Sequence, residues 1–116
     1  MNITIEALQT YLSDHYGGRA NEQGLFMKLV EEIGEVAEVL NKRARRKLSD
    51  ESNLQEELGT ELADMIHYIV AIAAINKIDL NDTILRKYRA ASLKYHHAIN
   101  LETFLSNRQG YTMDPW

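Results

Sequence analysis

A single proline, Pro115, and six glycines punctuate the 116 residues of this chain. So few breakers supply too few tight turns for a many-stranded fold, and the chain has to be organised by helices. Apolar residues recur at the spacing that helices require. Ile5, Leu8 and Leu12 form a first short stripe from about Ile5 to His15, with Thr4 placed as its N-cap. Tyr16-Gly17-Gly18 ends it, since paired glycines favour a turn.

From about Glu22 to Arg46, the residues Phe26, Leu29, Val30, Ile33, Val36, Ala37 and Leu40 step by threes and fours and predict one buried stripe. Gly34 interrupts this helix at a cost of about 1 kcal/mol relative to alanine, which marks a close approach by a second backbone or a ligand. The cations around Arg43, Arg45 and Arg46 suit the negative end of the helix dipole. Ser49 to Ser52 forms a break, and Ser52 with Gln55 reads as a capping box. A third helix then runs to about Lys77 on Leu54, Leu58, Leu62, Met65, Ile66, Ile69 and Ile72. Its end, Ile69 to Ile75, is apolar nearly all round and is expected to be deeply buried.

Asp79-Leu80-Asn81 caps a fourth helix from Asp82 to about His97, with Ile84, Leu85, Tyr88, Ala91 and Tyr95 as its core side. A short helical turn from Leu101 to Ser106 follows. The pattern predicts an all-α, four-helix bundle-like single domain over residues 1–107, with a loop or disordered tail over 108–116.

Composition narrows the function. With no cysteine, disulfide frameworks, thiolate zinc sites and cysteine nucleophiles are excluded. A net charge of −4 argues against a broad nucleic-acid-binding face. The longest unbroken apolar run, Ile69 to Ile75, is far shorter than the roughly 20 residues a bilayer span takes. Neither a basic n-region nor a long apolar segment opens the chain, so the expectation is a cytoplasmic protein that meets no membrane and no nucleic acid.

Chemistry is concentrated in the acids of the two long helices. Glu31, Glu32, Glu35 and Glu38 crowd two turns of the second, and Glu57, Glu61 and Asp64 share a face of the third. At about 100° per residue, Glu32 and Glu35 lie roughly 60° apart, as do Glu61 and Asp64, and both pairs border the apolar stripes. Two such helices side by side bring four carboxylates toward one spot. They repel one another unless some take up protons or a divalent cation joins them. Oxygen-only ligands favour Mg²⁺, Mn²⁺ or Ca²⁺. The plainer reading is that these acids are solvated helix faces.

The run Lys28-Leu29-Val30-Glu31-Glu32-Ile33-Gly34-Glu35-Val36-Ala37-Glu38, followed by Glu61-Leu62-Ala63-Asp64, resembles the MazG-type all-α nucleotide pyrophosphohydrolases. Their signature is Glu-Glu-x-x-Glu, a spacer and Glu-x-x-Asp, and the resemblance covers roughly Gln23 to Tyr95. It implies a Mg²⁺-dependent enzyme, with Mn²⁺ as substitute, that hydrolyses an NTP or dNTP to the monophosphate and pyrophosphate. By position it makes Glu32, Glu35, Glu61 and Asp64 the metal ligands. Glu31 then positions a second metal or activates the attacking water. The family also carries Lys-x-x-x-Asn-x-x-Arg on its last long helix. Here Lys87 and Lys94 stand at the ends of that spacing with Ala91 in the asparagine's place, so Lys87, Lys94 and Lys28 become the expected substrate contacts. Tyr11, His15, Tyr16, Phe26 and Trp116 are the supply for base selection, and the resemblance further implies a homodimer or homotetramer.

Three other readings were weighed. Asp64-x-x-His67 supplies only one of the two Glu-x-x-His-type pairs that a di-iron bundle uses. Gly17-Gly18 lacks the Lys and Ser/Thr of a phosphate-binding loop. A non-catalytic metal-binding or regulatory protein of the same fold, or a phosphoribosyl-ATP pyrophosphatase, is the alternative to the nucleotide hydrolase.

Overall fold

The computed structural model describes residues 1–19, 21–45, 51–96 and 100–111, and for 51, 52 and 109–111 it describes the backbone alone. Among the described residues there are five helices and no strand: α1 (Ile5–Tyr16), α2 (Glu22–Arg45), α3 (Glu51–Ile75), α4 (Leu80–Tyr95) and α5 (Leu101–Tyr111). The fold is all-α, as the spacing predicts.

Short polar side chains start these helices by satisfying N–H groups that the first turn leaves open. Thr4 Oγ1 accepts from the N–H of Ala7 at 3.0 Å, and Asp79 Oδ1 accepts from that of Asp82 at 3.0 Å. Asn21 and Asn100 do the same for Gly24 and Thr103, at 3.1 and 2.8 Å. At the end of α1, Gly17 adopts φ +54° and donates its N–H to Ser13 O, the left-handed cap that glycine takes without steric cost. The proposed Ser52–Gln55 capping box, the basic residues from Arg46 onward and the segment 112–116 lie outside the residues or side chains described.

The helices group into two compact units, Met1–Ile78 with α1 to α3, and a second that begins at Asp79 and holds α4 and α5. In the first unit, α2 and α1 both pack on α3. Asn76 Nδ2 donates to Glu22 Oε1 at 2.8 Å, which ties the start of α2 to the end of α3 and sets the two antiparallel. Leu12, Leu25, Val39, Leu54, Val70, Ala71, Ala73 and Ala74 form the core. Three alanines at the end of α3 let neighbouring helices approach closely, and most of this apolar end is buried as expected.

The predicted stripes are only half covered. On α2, Leu25 and Val39 are buried and Leu29 and Val36 half-buried, but Phe26, Val30, Ile33 and Leu40 remain 42–53% exposed. On α3, Leu62, Ile66 and Ile69 remain 42–47% exposed. The reason is angular. At 100° per residue, Leu25, Leu29, Val36 and Val39 occupy one edge of α2, while Phe26, Val30, Ile33, Ala37 and Leu40 occupy another, about a quarter-turn away. The intrachain contacts of α2 cover the first edge only. Gly34 likewise meets no close approach among the described residues, since a Cβ built on it has nothing within 4 Å. The stretch Asn53–Ile75 is long and apolar enough, by length and composition, to cross a membrane. The unbroken run Ile69 to Ile75 understates this, because apolar residues dominate a much longer stretch of the helix.

In the second unit, Arg89 grips Glu102 through two hydrogen bonds, Nε to Oε1 at 2.7 Å and Nη2 to Oε2 at 2.9 Å, joining α4 to α5. This guanidinium holds the Glu102 carboxyl below its ordinary range. Tyr88 and Tyr95, expected on the core side of α4, are exposed, whereas Ser92 is buried. Helix α5 continues to Tyr111, past the Ser106 at which the apolar pattern stops. Asn107, Arg108, Gln109 and Gly110 carry no apolar period, so amphipathicity leaves this last turn invisible.

Leu12 is fully buried where α1 belongs to the core. Leu12→Ala is expected to lower unfolding stability by about 3 kcal/mol, read from the midpoint of a urea titration followed by circular dichroism.

Candidate metal centre

Glu32 lies on the covered edge of α2, in angular register with Leu25, Leu29 and Val36, and the packing that half-buries those residues half-buries its carboxylate. Glu61 and Asp64 sit one turn apart on α3 and are also half-buried. The antiparallel packing brings one carboxylate oxygen each from Glu32, Glu61 and Asp64 within 4.8 Å of one another.

Two observations show how the cluster is stressed. Glu32 Oε2 and Glu61 Oε2 are shut off from solvent without a hydrogen-bond partner, a costly arrangement for a carboxylate. The Glu61 carboxyl is pushed up to about 8. Hydrogen bonding to Glu35 is the largest cause, followed by hydrogen bonding to Glu32, burial, and the negative charges of both. Three to four acids this close cannot all ionise without compensation. Their all-oxygen donor set and the two orphaned oxygens fit a hard divalent cation, which would neutralise the charge and satisfy the stranded lone pairs.

Of the acids expected at the site, Glu32, Glu61 and Asp64 are brought together, and Glu35 stands beside Glu61 from an otherwise exposed position. Glu31 is outside the group. One residue step turns it about 100° from Glu32, and its carboxylate pairs with Lys28 at 3.5 Å, both side chains about 60% exposed. Lys87 and Lys94 lie on α4 in the second unit, both exposed, with Lys94 Nζ 5.4 Å from the centre of the Tyr95 ring.

Two features have no counterpart in the sequence reading. Tyr16 Oη lies 2.7 Å from His67 Nε2, joining α1 to α3 across 51 positions. The Asp64-x-x-His67 spacing rotates His67 away from the Glu61–Asp64 stripe, and its imidazole faces α1. Next to this pair, an open cleft of about 520 Å³ is lined by His15, Tyr16, Arg19, Asn21, Leu25 and Lys28, among others. Tyr16, Gly17 and Gly18 form the stop signal visible in the sequence, but spacing alone does not reveal the cleft at that turn.

A family model described as the MazG nucleotide pyrophosphohydrolase domain matches residues 20–92, which take in both acid-bearing helices and most of α4. No curated protein and no solved structure matches the chain.

The raised Glu61 value has a definite consequence for stability. The fold favours the protonated acid, so its contribution is complete below the ordinary carboxyl range near 4.5 and is lost as pH rises through about 8. In metal-free buffer, the Tm of Glu61→Gln should match wild type near pH 5 and exceed it at pH 8.5. Mg²⁺ or Mn²⁺ should raise the wild-type Tm more at pH 8.5 than at pH 5, because ligands bind metal deprotonated. Equal wild-type and Glu61→Gln profiles across this range would refute the assignment.

Proposed function

The chain belongs to the family of MazG nucleotide pyrophosphohydrolase domains, and on that premise we propose that it hydrolyses a nucleoside triphosphate, ribo or deoxy, to the monophosphate and pyrophosphate with Mg²⁺. The observation that carries this reading is the convergence of Glu32, Glu61 and Asp64, two of them with an orphaned buried oxygen. Glu32, Glu35, Glu61 and Asp64 are the residues that would hold Mg²⁺, or Mn²⁺ in its place. When bound, the cation supplies charge neutralisation for the phosphate oxygens, which four carboxylates alone would repel.

The chain's own groups account for the remaining work. Glu31 is the acid of the motif left outside the cluster, and it takes the proton of the attacking water. The water oxygen bonds to phosphorus, the bond from that phosphorus to the bridging oxygen breaks, and pyrophosphate leaves. Lys28, one turn before Glu32 and already paired with Glu31, meets phosphate oxygens. Lys87 and Lys94 on α4 are assigned as further phosphate contacts.

We further propose that the working form is a homodimer or homotetramer. Phe26, Val30, Ile33 and Leu40 of α2, with Leu62, Ile66 and Ile69 of α3, leave more apolar surface open than isolated surface residues account for. The open space over Gly34 gives a second backbone room to approach the same helix.

Pyrophosphate release from a panel of NTPs and dNTPs is expected only with Mg²⁺ or Mn²⁺, and Glu35→Gln and Glu61→Gln should each reduce it at least about a hundredfold. Absence of turnover on every nucleotide, together with a Mg²⁺-raised Tm, would replace the enzyme with a metal-binding protein of the same fold. Ile33→Glu is expected to reduce the assembly to a smaller species in light scattering, with its helical circular dichroism retained.

A further inference from the structure

The proposed chemistry leaves His67 and Tyr16 without a task, yet these two side chains are hydrogen-bonded to each other between α1 and α3. His67 is half-buried on α3, three residues past Asp64. Its Nε2 meets Tyr16 Oη at 2.7 Å. Burial, with a smaller effect from Tyr68, pushes the Tyr16 phenol above its ordinary value, so the phenol keeps its proton, and the His67 tautomer decides which of the two groups donates. Tyr16 in turn lines the cleft beside His15.

The rings form a continuous series. Tyr11 stacks on His15 at 6.1 Å, His15 meets Tyr16 edge-on at 4.9 Å, Tyr16 meets His67 at 5.9 Å, and His67 meets Tyr68 at 4.9 Å. Ring packing limits each neighbour, but within this series the directional tie between α1 and α3 is the Tyr16–His67 hydrogen bond. It sets the angle at which the Tyr16 ring stands in the cleft.

The cleft lies close to the acids along both long helices. Along α2, Lys28 of the cleft is four residues from Glu32, and along α3, His67 is three residues from Asp64. At 1.5 Å per residue these steps are about 6 and 4.5 Å along the helix axes. The volume, about 520 Å³, is that of a small-molecule site. Flat rings on one wall suit a heteroaromatic base. Arg19 and the amide nitrogen of Asn21 offer donors to its edge or to the sugar, since the Asn21 oxygen is committed to Gly24.

We propose that His67 is a positioning residue, its hydrogen bond to Tyr16 holding that ring as the wall of the cleft against which the base lies. The proposal rests on the pyrophosphohydrolase reading, in which Tyr16 is one of the base-selecting side chains by resemblance, and goes beyond it by giving His67, which makes no contact of its own with the substrate, control of that ring.

The test compares Tyr16→Phe, His67→Ala and His67→Gln with wild type, using the best nucleoside triphosphate of the panel as substrate and inorganic tripolyphosphate, which has no base, as competing ligand. Loss of the one hydrogen bond is expected to raise KM for the nucleotide about tenfold in Tyr16→Phe and His67→Ala. The kcat should stay within about twofold, and the inhibition constant of tripolyphosphate and the Mg²⁺-induced rise in Tm should not change. His67→Gln, whose side-chain amide can accept from the phenol or donate to it, should recover most of the loss. Unchanged KM in all variants overturns the proposal while leaving the reaction intact. So does a parallel loss of tripolyphosphate affinity, which would show general loosening. If no nucleotide turns over in the wild type, the pyrophosphohydrolase reading fails separately. The cleft is then decided by titrating adenosine, guanosine, cytidine, uridine and thymidine while following the His67 imidazole signals by NMR. A shift lost in Tyr16→Phe supports it, and no shift overturns it.

Discussion

The antiparallel contact between α2 and α3 is the constraint on which the first unit depends, because it has to do two opposed things at once. It buries Leu25, Val39, Leu54 and Val70, which favours association of the helices. The same contact forces Glu32, Glu61 and Asp64 within 4.8 Å of one another, which opposes it. Apolar burial is non-directional and spread over the helix lengths, whereas the repulsion is confined to one turn of each helix. The fold therefore holds the acids in place and leaves their charge to be settled by a proton on Glu61 or by a cation. A stable scaffold with a locally unfavourable cluster is the usual signature of a functional centre.

The side chains around the cluster divide according to small differences in angle. Glu32 shares the covered edge of α2 and is drawn in, while Glu31, one residue earlier, turns outward to Lys28. In the proposed mechanism this separation is useful, since a base that takes a proton from water must remain distinct from the groups that hold the cation. The second apolar edge of α2, from Phe26 to Leu40, obeys the same geometry. A helix with apolar residues over so wide an arc needs two partners. The first unit supplies one, and in the proposed assembly another copy supplies the second.

His67 shows how the same motif spacing can carry two meanings. Its position after Asp64 resembles half of a metal-binding pair, but a histidine is assigned by what its ring faces. Here it faces the Tyr16 phenol, in a series of rings that begins on α1. The acids and the rings are thus adjacent but chemically separate, one set suited to a cation and phosphate, the other to a flat organic group.

Much of this protein follows from short-range physics, and that part is legible in its residues. Thr4, Gly17 and Asp79 mark helix ends because caps involve groups within a few positions of each other. The acidic motif, with Glu32 and Glu35 on one helix and Glu61 and Asp64 on the other, follows from 100° per residue, and so does its place beside the apolar stripes. Tertiary structure decided the rest. It selected which of two apolar edges on α2 is covered, and with that edge whether Glu32 or Glu31 is drawn inward. It also left Gly34 open and paired Tyr16 with His67. None of these is encoded by local spacing, because each depends on which distant helix arrives and at what rotation, a choice made by the burial of the whole core at once.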